Sequence, residues 1–222
     1  MYDKESIKKT MRDVFETEEE LDDYATKMAD KYSTIKKGDN VVHLEYFDGI
    51  IDNHDIQEIE NTLSSVNLEL SRFDKNGVMY ASMEEFTLQL SLCLKDPVVQ
   101  ILLQGLATNA LWDALKTTAV FIWKRVKGRK QNLYGNPKLN FGLRIRTSEE
   151  VEVDLKLDTE SSEPVIHEAL DKVLDLLKKP EVKEPSFNNF YIFDEETKDW
   201  KAVNIQEEIQ KLAQKSKAKC QS

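Results

Sequence analysis

Residues 97–123, PVVQILLQGLATNALWDALKTTAVFIW, run straight into Lys124-Arg125-Val126-Lys127-Gly128-Arg129-Lys130, and the reading of this segment decides the fold. Seventeen of its 27 positions are apolar. Such a length with a basic flank is what a membrane span looks like. The magnitudes argue against one. Its eleven Leu, Ile, Val and Phe residues contribute about −4 to −5 kcal/mol toward insertion, while Asp113 and Lys116 near the middle cost about +5 to +7 kcal/mol. Unaided insertion fails. Projected at about 100° per residue, the segment shows two apolar faces. Val99, Leu103, Leu106, Ala107, Ala110, Ala114 and Phe121 form the broad one; Ile101, Trp112, Ala119 and Trp123 form the narrower. A helix with two apolar faces is sandwiched between layers. Asp113 and Lys116, three apart, are spaced to pair with each other. The expectation is one long buried helix over 97–127, stopped at Gly128.

On its N-terminal side, 4–36 has helical periodicity. Thr17 with Glu20 three residues on forms a capping-box pattern, so two helices are predicted there. Val41 to Phe47 is a predicted strand, and 55–66 returns to helix through Ile56, Ile59, Leu63 and Val66. Asp74-Lys75-Asn76-Gly77 is a turn signal between strands 68–73 and 78–81. Phe86, Leu88, Leu90, Leu92 and Leu94 alternate with polar residues, which predicts a sheet buried on one face only. On the C-terminal side a hairpin is predicted over 139–146 and 151–157, then a helix over 165–177. A Pro-containing linker at 178–185, a short hairpin (190–193 and 200–203) and a last helix complete the chain. Asp96-Pro97-Val98-Val99 and Glu163-Pro164-Val165-Ile166 open the two helices alike, with Pro where a helix start tolerates it. A duplicated hairpin–helix unit would produce that echo.

The predicted class is α+β: antiparallel β-hairpins packed on a long central apolar helix, with a helical N-terminus. The predicted divisions are 1–37 helical, 38–130 α+β ending in the long helix, 131–179 a ββα unit, and 180–222 a linker, hairpin and helix. Residues 38–222 also fit a single domain.

The formal net charge of −10 hides an asymmetry. Residues 1–60 carry 8 basic and 17 acidic groups, and 61–94 carry 2 and 4. Residues 95–146 carry 10 and 2, and 147–222 carry 11 and 18. The positive share is densest at Lys124, Arg125, Lys127, Arg129 and Lys130, which are the candidate partner-binding residues. The other reading is that this belt docks on the protein's own acidic flanks.

The chain offers few chemical motifs. It has no GxSxG, P-loop or GxGxxG pattern, and its seven glycines are scattered. Kinase, NTPase and dinucleotide-dependent chemistry are thereby excluded, and no catalytic residue or cofactor is expected. Asp74, Asn76 and Glu85 sit at calcium-loop spacing, but Met79 occupies the position that needs Gly. His43, Glu45, Asp48, Asp52, His54 and Asp55 form a His–carboxylate cluster. A metal-dependent hydrolase using His43, Glu45 and Asp48 is the rival reading. Capping of the next helix by Asp52, Asn53 and Asp55 explains the same residues without metal. Nucleic-acid binding would rest on the belt with Tyr134, Phe141, Arg144 and Arg146. A membrane-associated role would rest on 97–123.

The stretch from Leu106 to Leu177 resembles small bacterial proteins associated with biological-conflict effectors. An apolar helix ending in Trp and basic residues, here Trp123-Lys124-Arg125, precedes a hairpin and a Leu-rich helix. The resemblance covers about a third of the chain. It implies an adaptor or effector-associated role in a multi-component system and supplies no catalytic residues. Met1 to Lys9 has no apolar run, so no secretory signal is expected. Cys93 and Cys220 read as free thiols, and the expected compartment is the cytoplasm. The expected function is a non-catalytic interaction or regulatory protein whose partner is another protein.

Overall fold

A computed structural model describes residues 3–78, 90–104, 109–128, 140–182 and 189–204. Two helices open the chain, α1 (Lys4–Met11) and α2 (Glu18–Ser33). The break between them follows the Thr17 cap, whose hydroxyl accepts from the Glu20 backbone N–H at 3.2 Å. Then come β1 (Val41–Tyr46), α3 (Asn53–Ser64), β2 (Glu69–Asp74), β3 (Leu90–Leu94), α4 (Asp96–Leu103) and α5 (Asn109–Gly128). The remainder is β4 (Phe141–Arg146), β5 (Glu152–Leu157), α6 (Glu163–Asp171), α7 (Val173–Lys178), a short 3-10 turn, β6 (Phe190–Asp194) and β7 (Asp199–Ala202).

The seven strands form one mixed sheet in the order β2-β1-β3-β4-β5-β6-β7. Along it, pairings alternate: β2 and β1 parallel, β1 and β3 antiparallel, β3 and β4 parallel, and so on to the antiparallel β6–β7 hairpin. An α+β chain is therefore correct, but hairpins on one central helix are not. Only β4–β5 and β6–β7 are hairpins among the described residues. The expected partner of 68–73 falls largely outside those residues, and β2 instead lies parallel to β1, joined to it through α3. Sequence alternation predicts strands but not which neighbour each strand takes, and the α3 crossover decides that here.

The long helix is also corrected. It is divided into α4 and α5, with 105–108 outside the described residues. A projection over 97–127 assumes one continuous helix, whereas α4 ends at Leu103. Ile101, assigned to the narrow apolar face, is consequently 44% exposed, whereas Trp112, Ala119 and Trp123 are buried. No helix among the described residues is long and apolar enough to cross a membrane. Asp113 and Lys116 do pair, at 3.1 Å, and Lys116 also reaches Asp171 at 2.9 Å.

The prolines of the two similar openings sit at the first turns of α4 and α6. Each opens a two-helix crossover between adjacent parallel strands, β3 to β4 and β5 to β6. Helices α3 to α7 pack on one sheet face, over Val42, Leu44, Leu92, Leu94, Leu143, Ile145, Val153 and Leu155, in one apolar cluster. Both the β3–β4 and β5–β6 crossovers step toward the same edge, but their strands run oppositely. On a shared face they therefore have opposite hands, although nearly all such crossovers are right-handed.

On the other face, the described helices are α1 and α2. Ile7, Ala25 and Met28 form their own small cluster. They dock at the β2 edge through a Tyr32–Phe73 stack, with ring centroids 5.0 Å apart, and a bond from the Lys36 backbone N–H to Ser71 at 3.0 Å. Lys31 Nζ donates to the carbonyls of Asp74 at 3.0 Å and Asn76 at 2.6 Å. An ammonium thus satisfies the turn that carries the calcium-like spacing, and Gly77 (φ 73°) closes it.

Candidate functional site

Beyond the reach of α2, the second face presents alternate residues of the middle strands. From β1 these are His43 and Glu45; from β3, Ser91 and Cys93; from β4, Arg144 and Arg146; from β5, Glu152 and Asp154. Arg144 is the hub. Its Nε lies 2.9 Å from Asp154 Oδ1 and 3.4 Å from Glu152 Oε1, and its Nη1 lies 3.2 Å from Glu45 Oε2. The same Glu45 oxygen accepts from Ser91 Oγ at 3.0 Å and lies 3.6 Å from Lys75 Nζ. Glu45 and Arg144 stand two strands apart, a gap of about 9–10 Å. The small side chains of Ser91 and Cys93 on the strand between leave room for the guanidinium to cross.

The electrostatics follow from burial and charge. At Arg144 burial works against the charged form, but Asp154 and Glu45 outweigh it and the pKa is raised. At Asp154 burial raises the pKa, and Arg144 only partly offsets this. The Cys93 thiol is pushed up to about 12, by burial first and by Glu45 second. Such a thiol is not a nucleophile at neutral pH. Burial, with Lys95 and Arg146 nearby, lowers the His43 pKa to about 4, and its Nε2 is buried without a hydrogen-bond partner.

Three of the five belt residues fold back on their own chain. Lys124 pairs with Glu163 at 2.7 Å and Arg125 with the buried Asp55 at 2.7 Å. Lys127 donates to the Ser161 carbonyl at 2.5 Å and lies over the Trp123 ring. The asymmetry of the sequence is thus met internally at these residues: the belt rests on the acidic segments that flank it. Arg129 and Lys130 lie outside the described residues.

The proposed hydrolase ligands do not converge. His43 and Glu45 share a face, but Glu45 is held by Ser91 and Arg144. Asp48 sits in the following turn, where its carboxylate accepts from the Gly49 N–H at 3.0 Å. Asp52 caps α3, accepting from His54 and Asp55 N–H at 3.0 Å each, and Asp55 completes the capping box. Among the described residues, only His54, Asp55 and Glu58 bring ligand-type atoms within 4.8 Å of one another. Asp55 there is already held by Arg125. His167 lies exposed beside Glu163. A shallow cavity of about 410 Å³ beside Ile101, between Leu68 and Val98, has Asp39 as its one ionisable lining residue.

The Arg144–Asp154 pairing was not read from the sequence, although the hairpin, whose charged residues alternate with Val151, Val153, Leu155 and Leu157, puts charges of both strands on one face. Glu45 was not legible there, because nothing local says that β1 lies two strands from β4. Compared with models of known protein families, with curated proteins and with solved structures, the chain matches none.

Proposed function

We propose that the chain is a non-catalytic interaction or regulatory protein of a bacterial multi-component system, holding another protein against the polar face of its sheet. One observation carries this reading: the groups around Arg144 on that face satisfy each other. Arg144 takes three carboxylates, Ser91 and Lys75 take Glu45, and Cys93 is held as a thiol. A general base needs a free lone pair near its proton, and a nucleophile needs activation. A preorganised charged lattice with polar atoms at its rim suits recognition, where fixed charges set register and reject wrong partners.

Charge reversal at the exposed Glu152 and the half-buried Lys156, on that face, tests the reading. The tagged full chain, expressed in its host, is expected to retain a stoichiometric protein partner that the Glu152→Lys/Lys156→Glu variant loses without change in circular dichroism. Turnover of a substrate by the purified chain, abolished in Glu45→Gln, would overturn it. Stoichiometric metal in protein purified without chelator would favour the hydrolase instead.

A further inference from the structure

With Lys124, Arg125 and Lys127 committed internally, uncompensated positive charge lies elsewhere. At the end of the sheet where β1 begins and β3 and β4 finish, Lys95 follows Leu94, whose register partner is Ile145. One step on, Lys95 comes beside Arg146. Both lie on the polar face, in line with Cys93 and Arg144. His43 of β1 is opposite Cys93, one pair further in. Lys37 arrives from the segment that joins α2 to β1.

Arg146 and Lys37 both act electrostatically on Lys95. Its pKa is lowered by burial, then by Arg146 and by Lys37. Among the described residues neither Lys37 nor Lys95 has a carboxylate partner. Of the neighbours, Lys36 is matched by Glu69 at 3.5 Å and Arg146 by Glu152 at 3.1 Å. Arg146 is about half exposed at its side chain, so its guanidinium is one-sidedly engaged. Below these groups the His43 Nε2 is buried with no hydrogen-bond partner. A protein of net charge −10 has no general need to gather three cations around one described carboxylate, Glu152, because mutual repulsion destabilises the fold.

We propose that Lys37, Lys95 and Arg146 form a notch that binds a phosphoryl dianion. Two lysines supply point charges and Arg146 supplies a planar donor fork, the combination that recognises tetrahedral oxyanions. The dianion offsets the repulsion among the three cations. This site lies at the end of the same polar face, and the argument for it does not rest on the partner-holding reading above.

The chain contains three histidines, so His54 and His167 serve as internal references for His43 in one spectrum. Inorganic phosphate, added at constant ionic strength set with chloride, is expected to move the His43 imidazole resonances and raise its titration midpoint from near 4, leaving His54 and His167 in place. Lys95→Ala and Lys37→Ala are each expected to weaken phosphate about tenfold, the size of one charge-assisted contact. A short peptide carrying phosphoserine provides the second arm. Tighter binding of the peptide than of phosphate means that the dianion is borne by a larger molecule; equal binding means that the free ion is the ligand. The proposal is overturned if neither probe shifts His43 beyond the chloride control, or if Lys37→Ala/Lys95→Ala, with unchanged circular dichroism, binds as the parent does.

Discussion

At the scale of single residues, neighbouring charges on one helix have different weights. Arg125 meets a carboxylate that is 1% exposed, whereas Lys124 meets the half-exposed Glu163. Removing a partner from a buried charge is costly, and removing one from a surface pair is not. Arg125→Ala is therefore expected to lose about 2–3 kcal/mol in urea unfolding, and Lys124→Ala less than about 1 kcal/mol. Equal losses would contradict the placement of Asp55. His43 predicts a pH dependence. Its imidazole stays neutral in the fold until near pH 4, while that of the unfolded chain protonates near 6.5. Below 6.5 the unfolded state binds the extra proton, so this contribution is full above that pH and declines toward pH 4. The span corresponds to at most about 3 kcal/mol. Denaturant midpoints taken at pH 7 and pH 4.5 should converge in His43→Gln relative to the parent.

At the scale of elements, periodicity read the helices and strands well where one element meets one environment. The α1–α2 break, the β4–β5 and β6–β7 hairpins and the cap of α3 were all legible, because caps and turns are decided within a few residues. The segment 97–127 misled for a physical reason. Both halves are apolar enough to read as one run, and the mark between them, Gly105 one residue past the Gln104 cap of α4, was passed over. The pairing of β2 was illegible for another reason: a strand edge takes whichever neighbour the crossovers deliver. Within α5, Trp123 joins two layers. It is 2% exposed, and its Nε1 donates to the Asp158 carbonyl at 2.9 Å. Trp123→Phe is expected to cost about 1–2 kcal/mol, largely the hydrogen bond, and Trp123→Ala about 3–5 kcal/mol. Thermal unfolding of the two variants separates the terms.

At the scale of the molecule, the sequence's charge map located the belt and left two readings of what meets it, a partner or the protein's own acidic flanks. The acidic flanks meet it at Lys124 and Arg125, and at the sheet's end Lys37 and Lys95 have no carboxylate partner among the described residues. The lattice around Arg144 ties β1, β3, β4 and β5 together, so its removal has a cooperative cost. Arg144→Gln leaves Glu45, Asp154 and Glu152 facing one another. About 3 kcal/mol of stability is expected to go at pH 7, with the loss shrinking as pH falls and Asp154, whose pKa is raised by burial, takes up a proton. A loss independent of pH would mean that packing, and not charge, is what Arg144 contributes.

The opposite hand of the last crossover has a consequence for that lattice. Had the chain turned from β5 to β6 with the hand of the other two crossovers, α6 and α7 would lie across the strands that carry Arg144 and Asp154. Val173, Leu176 and Leu177 would then be pressed onto ion pairs, and selection would have replaced those charges with aliphatic residues. One reversal of handedness keeps α3 to α7 together on the apolar face, so that the ion pairs of the other face are spared an apolar helix.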